Sequence, residues 1–148
     1  MKFTLRPATQ SDQNNIRKLI RLVKINPTGL DWCRFVVAVT PTGELIGCGQ
    51  VKTHGDGSRE LASIAVMPEY RNEGIASTLI DHLVNIHPKP LFLTCRSSLE
   101  TFYQQFQFKT LLESEMPPYF RRMSRLGNIF LKLSRSKDKL LVMQLKYD

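Results

Sequence analysis

The sequence is poor in the residues that staple a fold or hold a metal. Among 148 residues there are three cysteines and three histidines. Cys33, Cys48 and Cys95 are odd in number and far apart, which excludes a CxxC zinc pair and a disulfide framework; reduced, buried thiols are expected. His54, His82 and His87 show neither HExxH nor zinc-finger spacing, so no metal is expected. No apolar run approaches the roughly 18 residues of a membrane span. The N-terminus lacks the charged, apolar, small-residue order of a signal peptide. A soluble, cytoplasmic protein is therefore the expectation. Internal repeats and low-complexity linkers are missing too. The composition, 42% apolar and 23% charged, fits a single domain over residues 1–148 with a core of its own.

Acidic side chains are also scarce. Thirteen stand against 21 lysines and arginines, a net of +8, which raises nucleic acid, anionic membrane or a phosphorylated ligand as partners. The excess is local. Residues 119–139 hold Arg121, Arg122, Arg125, Lys132, Arg135, Lys137 and Lys139 against Asp138 alone, a net of +6.

What is present is a clear alternation of periods. Residues 2–6 read as a half-buried strand that Pro7 ends. A helix follows, capped by Ser11 or Asp12, with Ile16, Leu19, Ile20 and Val23 on one stripe. Valine-rich and isoleucine-rich strands over 34–40, 44–53 and 59–67 are joined by the turns Pro41-Thr42-Gly43 and His54-Gly55-Asp56-Gly57, an antiparallel meander. From Gly74 the period is helical, through Ile75, Leu79, Ile80, Leu83 and Val84, until His87-Pro88. Residues 91–95 form a short buried strand. Ser97 to Glu100 carries a capping-box signature, followed by Leu99, Phe102, Tyr103 and Phe106 at helical spacing. Two last strands are expected at 108–112 and 139–147. Between them Pro117 and Pro118 open a basic helix, an insert at about 117–138, with Met123, Phe130 and Leu133 as its apolar side.

One junction carries chemistry. The strand ending Ser63-Ile64-Ala65-Val66 passes through Met67-Pro68-Glu69-Tyr70 into Arg71-Asn72-Glu73-Gly74-Ile75-Ala76 and directly into a helix. A helix start leaves backbone N–H groups unpaired and carries partial positive charge, so a glycine-containing entry can wrap phosphate oxygens. The Rossmann and P-loop patterns, GxGxxG and GxxxxGK[ST], are both missing. The turn instead resembles the [Arg/Gln]-x-x-Gly-x-[Gly/Ala] signature of the GCN5-related N-acetyltransferase (GNAT) superfamily, as Arg71-x-x-Gly74-x-Ala76, preceded by Val66-x-Pro68-x-Tyr70. The element order is similar to the family's over 2–112 and 139–147.

The resemblance implies a mixed α/β fold, a mostly antiparallel twisted sheet with helices on both faces. It implies acetyl-CoA as acetyl donor, held by Ala65, Val66, Arg71, Asn72, Glu73, Gly74, Ile75, Ala76 and Ser77. The acetyl group would pass directly to a primary amine, without an acyl-enzyme. Phe102-Tyr103-x-x-Phe106-x-Phe108 resembles the family's Phe-Tyr-x-x-x-Gly-Phe, whose tyrosine protonates the departing thiolate. Gln107 replaces the family's glycine, so a different helix exit is expected. Tyr103 is thus a candidate acid, or else a core aromatic. Glu60, eleven residues before Arg71 where histone-type members carry their glutamate, is the candidate base; the alternative is an exposed carboxylate beside Arg59. His54 is a further candidate base, more simply a solvated turn residue. Cys95 reads as a buried thiol rather than a nucleophile, and Glu69 and Glu73 as favouring the positive helix end.

The basic segment admits a solvated helix, a lid over an anionic substrate or the CoA phosphates, or a docking surface. With only Tyr119 and Phe120 available for stacking, nucleic acid is not the expected partner. The acceptor is a small-molecule or protein amine, and the chain a monomer or homodimer. From another class, a non-catalytic CoA-sensing or nucleic-acid-docking module would use the same turn and basic helix without turnover.

Overall fold

Residues 1–147 are described by a computed structural model. Eleven elements follow one another along it: β1 (Thr4–Pro7), α1 (Gln13–Leu22), β2 (Phe35–Val39), β3 (Leu45–Thr53), β4 (Arg59–Val66), α2 (Ile75–Ile86), β5 (Leu91–Arg96), α3 (Glu100–Gln104), β6 (Lys109–Thr110), α4 (Pro118–Leu133) and β7 (Leu140–Leu145). The strands form a mixed, mostly antiparallel seven-stranded sheet in the order β1-β2-β3-β4-β5-β7-β6. The pair β4 and β5 is parallel, with Glu60 opposite Phe92. The fold class is the expected α/β one. The chain divides into two compact units, Met1–Lys52 with Leu61–His87, and Thr53–Glu60 with the chain from Pro88 onward.

In the first unit β2 is buried along its whole length, as an unbroken Phe-Val-Val-Ala-Val run dictates. Phe35, Val37 and Val39 pack with Ile16, Leu19 and Ile20 of α1 and with Leu45, Cys48 and Ala65. The alternate residues point the other way, and α2 packs on β2. Asp12, a candidate cap for α1, makes no side-chain cap to that helix. Its carboxylate takes two bonds from Arg6, at 2.7 and 3.0 Å, and one from the Thr9 N–H at 2.7 Å. The Arg6 guanidinium holds this carboxyl below the usual carboxylate range. Pro7, opposite Val36, is the last residue of β1, so the strand ends there as expected. Cys48 is buried as expected, whereas Cys33 is exposed in the turn before β2.

In the second unit Phe92, Met116, Phe120 and Val142 form the core. Helix α4 lies on β7 through Phe120, Ser124 and Leu131, which are buried. The expected apolar side of this helix is therefore corrected: Phe130 and Leu133 are exposed. The seam that docks is built on small residues, Ser124 and Gly127, which a search for large apolar spacing passes over. A Cβ at Gly127 would run into the Leu140 side chain. The Ser97–Glu100 capping box does not form either. The Ser97 hydroxyl bonds Asp138 at 3.2 Å and accepts the Lys139 N–H at 3.0 Å, while Glu100 accepts from Thr110. Strand β6 has two residues because the chain turns away over Glu113–Glu115.

Asn128 ties α4 to β7. Its Oδ1 accepts the Leu140 N–H at 2.8 Å, and its Nδ2 donates to the Leu140 carbonyl at 3.2 Å and the Ser124 carbonyl at 2.9 Å. Asn128→Ala leaves the Leu140 backbone short of two partners and is expected to lower unfolding free energy by about 1–3 kcal/mol, measured by urea denaturation. Unchanged stability would show that this amide does not hold the helix.

Candidate functional site

The turn between β4 and α2 lies wholly in the first unit. After Val66 a short turn over Pro68–Tyr70 leads to Arg71, Asn72, Glu73 and Gly74, all exposed, before α2 begins at the buried Ile75. Asn72 (φ 64°) and Gly74 (φ 78°) are left-handed. Asparagine tolerates that region and glycine is free of its cost. A Cβ at Gly74 would meet nothing within 4 Å, so the backbone angle, not crowding, calls for glycine there.

No side chain caps α2 at Gly74. The first amide donors of a 12-residue helix thus open onto an exposed turn. The exposed Thr78 donates its hydroxyl to the Gly74 carbonyl at 2.7 Å. Glu73 lies 4.0 Å from the terminal amine of Met1, so one acid beside the turn has a cation of its own. Ala65 is buried on β4, Val66, Ala76 and Ser77 are half-buried, and Glu69 is exposed. Within β4, Ser63 is left-handed (φ 59°). Its hydroxyl accepts from the buried Gln50 at 2.8 Å, and Gln50 also donates to the Gly29 carbonyl at 3.0 Å and accepts from Arg34 at 3.1 Å.

The titratable candidates gather in the second unit. Glu60 is not an exposed partner of Arg59: it is 8% exposed, and its Oε1 lies 2.8 Å from His54 Nε2. His54 is likewise no solvated turn residue. Its ring stacks on Tyr119, with centroids 3.5 Å apart and planes 13° from parallel, and meets the edge of Phe120 at 5.6 Å. Asp56, in the same hairpin turn, accepts from the Ser58 hydroxyl and N–H and from the Tyr119 N–H at 3.0 Å. It therefore receives the start of α4. The hairpin, the buried acid and the basic helix thus form one connected cluster.

Tyr103 stands on α3, half-buried, edge-on to Phe102 and Phe108. Burial pushes its phenol up to about 12, with Cys95 contributing. Burial also raises Cys95, to about 11, and its Sγ faces Met143 Sδ at 3.8 Å. A thiol so placed stays protonated and is not poised to attack. Gln107 adopts φ 72°, the conformation glycine would take, so the turn after α3 is made despite the side chain.

A family model for the acetyltransferase (GNAT) domain matches residues 31–110, more than half of the chain. The chain belongs to the GNAT acetyltransferase family. The matched span includes the Gly74 turn, His54, Glu60 and Tyr103, and stops before α4. No curated protein matches this GNAT chain by sequence. Among solved structures it is similar to N-acetylglutamate synthase from Neisseria gonorrhoeae in complex with coenzyme A and N-acetyl-glutamate, at 21% identity and TM-score 0.72, over 98% of this chain and 35% of that one. It is similar to a Mycobacterium tuberculosis protein in complex with CoA, at 20% identity and TM-score 0.72, covering 98% of this chain and 99% of that one. A Staphylococcus aureus acetyltransferase of the GNAT family gives 14% identity and TM-score 0.70, over 99% and 100%. At these identities the likeness is one of fold. The chain spans about a third of the Neisseria protein.

Asp56, Gln50 and Ser63 carry no functional signal in the sequence, and Tyr119 stands out there only as one of two aromatics beside the basic segment. The Asp-Gly turn was visible as a turn, but nothing local foretold that its acid would receive a helix 63 residues on. Asp56's carboxyl is held down to about 2, chiefly by the Ser58 hydroxyl and then by the Tyr119 N–H. A depressed folded pKa stabilises above the unfolded value, here 3.8, and that contribution fades as pH falls towards about 2. The Tm difference between the natural protein and Asp56→Ala should therefore hold steady above about pH 4 and shrink towards about pH 2. A difference that stays constant over that interval would contradict the assignment.

Proposed function

We propose that this chain is an acetyl-CoA-dependent N-acetyltransferase that passes the acetyl group directly to a primary amine, of a small molecule or a protein. The observation that carries the reading is the uncapped start of α2 at the left-handed Gly74, in a chain of the GNAT family. Two of the similar structures were solved with CoA. An anion fits such a helix start, where free N–H groups and the helix dipole act together. The backbone from Arg71 to Ser77 would hold the diphosphate of the donor, with Ala65 and Val66 lining its arm. Acetyl-CoA supplies the activated thioester.

Two proton movements remain for side chains. An alkylammonium near pKa ~10 must lose a proton before its nitrogen can attack. Glu60 is the proposed acceptor, directly or through water, and His54, hydrogen-bonded to it, shares the load. As the new C–N bond forms and the C–S bond breaks, the thiolate takes a proton. Tyr103 is the proposed donor: with its phenol held up to about 12 it keeps its proton through neutral and mildly alkaline pH. The second N–H proton of the attacking nitrogen returns to Tyr103, so the balance is one amide, one free thiol and the ammonium proton released to the base.

Thiol release from acetyl-CoA, followed over a panel of amines, tests the reading. With the best amine, Tyr103→Phe and Glu60→Gln should each lower kcat by about 10²-fold or more, the usual scale of a positioned acid or base. Full kcat in both variants would remove the roles assigned, and no thiol release with any amine would count against the activity itself.

A further inference from the structure

Helix α4 has two apolar faces, and only one is used within the chain. Opposite the buried stripe of Phe120, Ser124 and Leu131, at roughly 100° per residue, stand Leu126, Ile129, Phe130 and Leu133, spaced i, i+3, i+4, i+7. These four are 63, 57, 68 and 79% exposed. A contiguous exposed stripe of large apolar side chains marks an interaction surface. Its surroundings are basic. Arg121, Arg125 and Lys132 fall within about 40° of one another along one flank, Arg122 lies within the stripe, and α4 has no acidic residue. Arg125 pairs with Glu113 and Arg121 donates to the Met116 carbonyl at 3.1 Å. At the far end a cavity of about 410 Å³ is lined by Lys132, Lys137, Lys139 and Asp138 with Asn128.

We propose that this outer face of α4 lies on the surface of an anionic lipid bilayer, its apolar stripe at the headgroup and acyl boundary and its basic flank among the phosphates. That surface satisfies both halves of the face. A second copy docked through a two-fold axis would set the basic flank against itself, with no acid on the helix to receive it. Nucleic acid would take the charge but leave four large apolar side chains without a use, three of them aliphatic and unable to stack. Among the described residues no helix is long and apolar enough to cross a membrane, so the helix lies on the bilayer rather than through it. The inference does not rest on acetyl transfer: it uses exposed side chains of α4, none of which belongs to the cluster around Glu60.

The test is co-sedimentation of the full chain with vesicles of phosphatidylcholine alone or mixed with phosphatidylglycerol. The natural protein should bind the mixed vesicles and not the neutral ones, and added salt should weaken binding. Phe130→Glu and Leu133→Glu, and separately Arg122→Glu and Lys132→Glu, should each reduce binding at least about tenfold. These side chains are exposed, so circular dichroism should match the natural protein; were Phe130→Glu misfolded, Leu126→Gln with Ile129→Gln should give the same loss. Equal binding to neutral vesicles, no binding to the mixed ones, or unchanged binding by the variants would overturn the proposal. So would a dimer in sedimentation velocity that Phe130→Glu abolishes, or duplex DNA binding that Lys132→Glu weakens and Phe130→Glu does not.

Discussion

A carboxylate buried where β4 meets β5 is the constraint around which the second unit is arranged. Glu60 sits opposite Phe92 and is almost closed off from water. Left alone there it would cost several kcal/mol. His54 answers that need, and the answer has consequences. The imidazole must be held at the hairpin tip, which Tyr119 does by lying flat against it. Tyr119 must in turn be held at the first turn of α4, which Asp56 does through the Tyr119 N–H. Phe120 then reaches Phe92, back beside the acid. The buried acid thus gives the basic helix its anchor.

The first unit contributes something different in kind. Its offering is backbone: two left-handed residues, Asn72 and Gly74, that turn the chain so sharply that α2 starts without a cap. A side-chain cap would satisfy those donors and close them to a ligand. Leaving them open is a small local cost that the anion of the proposed donor would repair. The Ser63 distortion in β4, steadied by the buried Gln50, is a second departure in the same unit.

Most of the architecture was legible because it rests on period alone. The buried run Phe35–Val39, the stripe Ile16, Leu19 and Ile20, and the turn at Gly74 each declare themselves within ten residues. What escaped depended on partners distant in sequence. Asp12 looked like a cap and is held by Arg6. His54 looked like a turn residue and is clasped between Glu60 and Tyr119. In α4 the large apolar residues drew attention to the outer face, while the helix docks by Ser124 and Gly127, whose value lies in their small size. Gln107 was read as a changed turn, and the backbone kept the turn and accepted the strain.

On the proposed reading, this GNAT chain binds acetyl-CoA on the bare start of α2. Calorimetric titration of acetyl-CoA into the natural protein and into Gly74→Val decides the matter. A β-branched residue cannot adopt the left-handed angle at Gly74 without a cost of roughly 1–2 kcal/mol, and it would stand where the phosphates need to approach. The expected result is binding to the natural protein that falls at least about tenfold in the variant while the fold is retained. Equal affinity in the two proteins would contradict the claim.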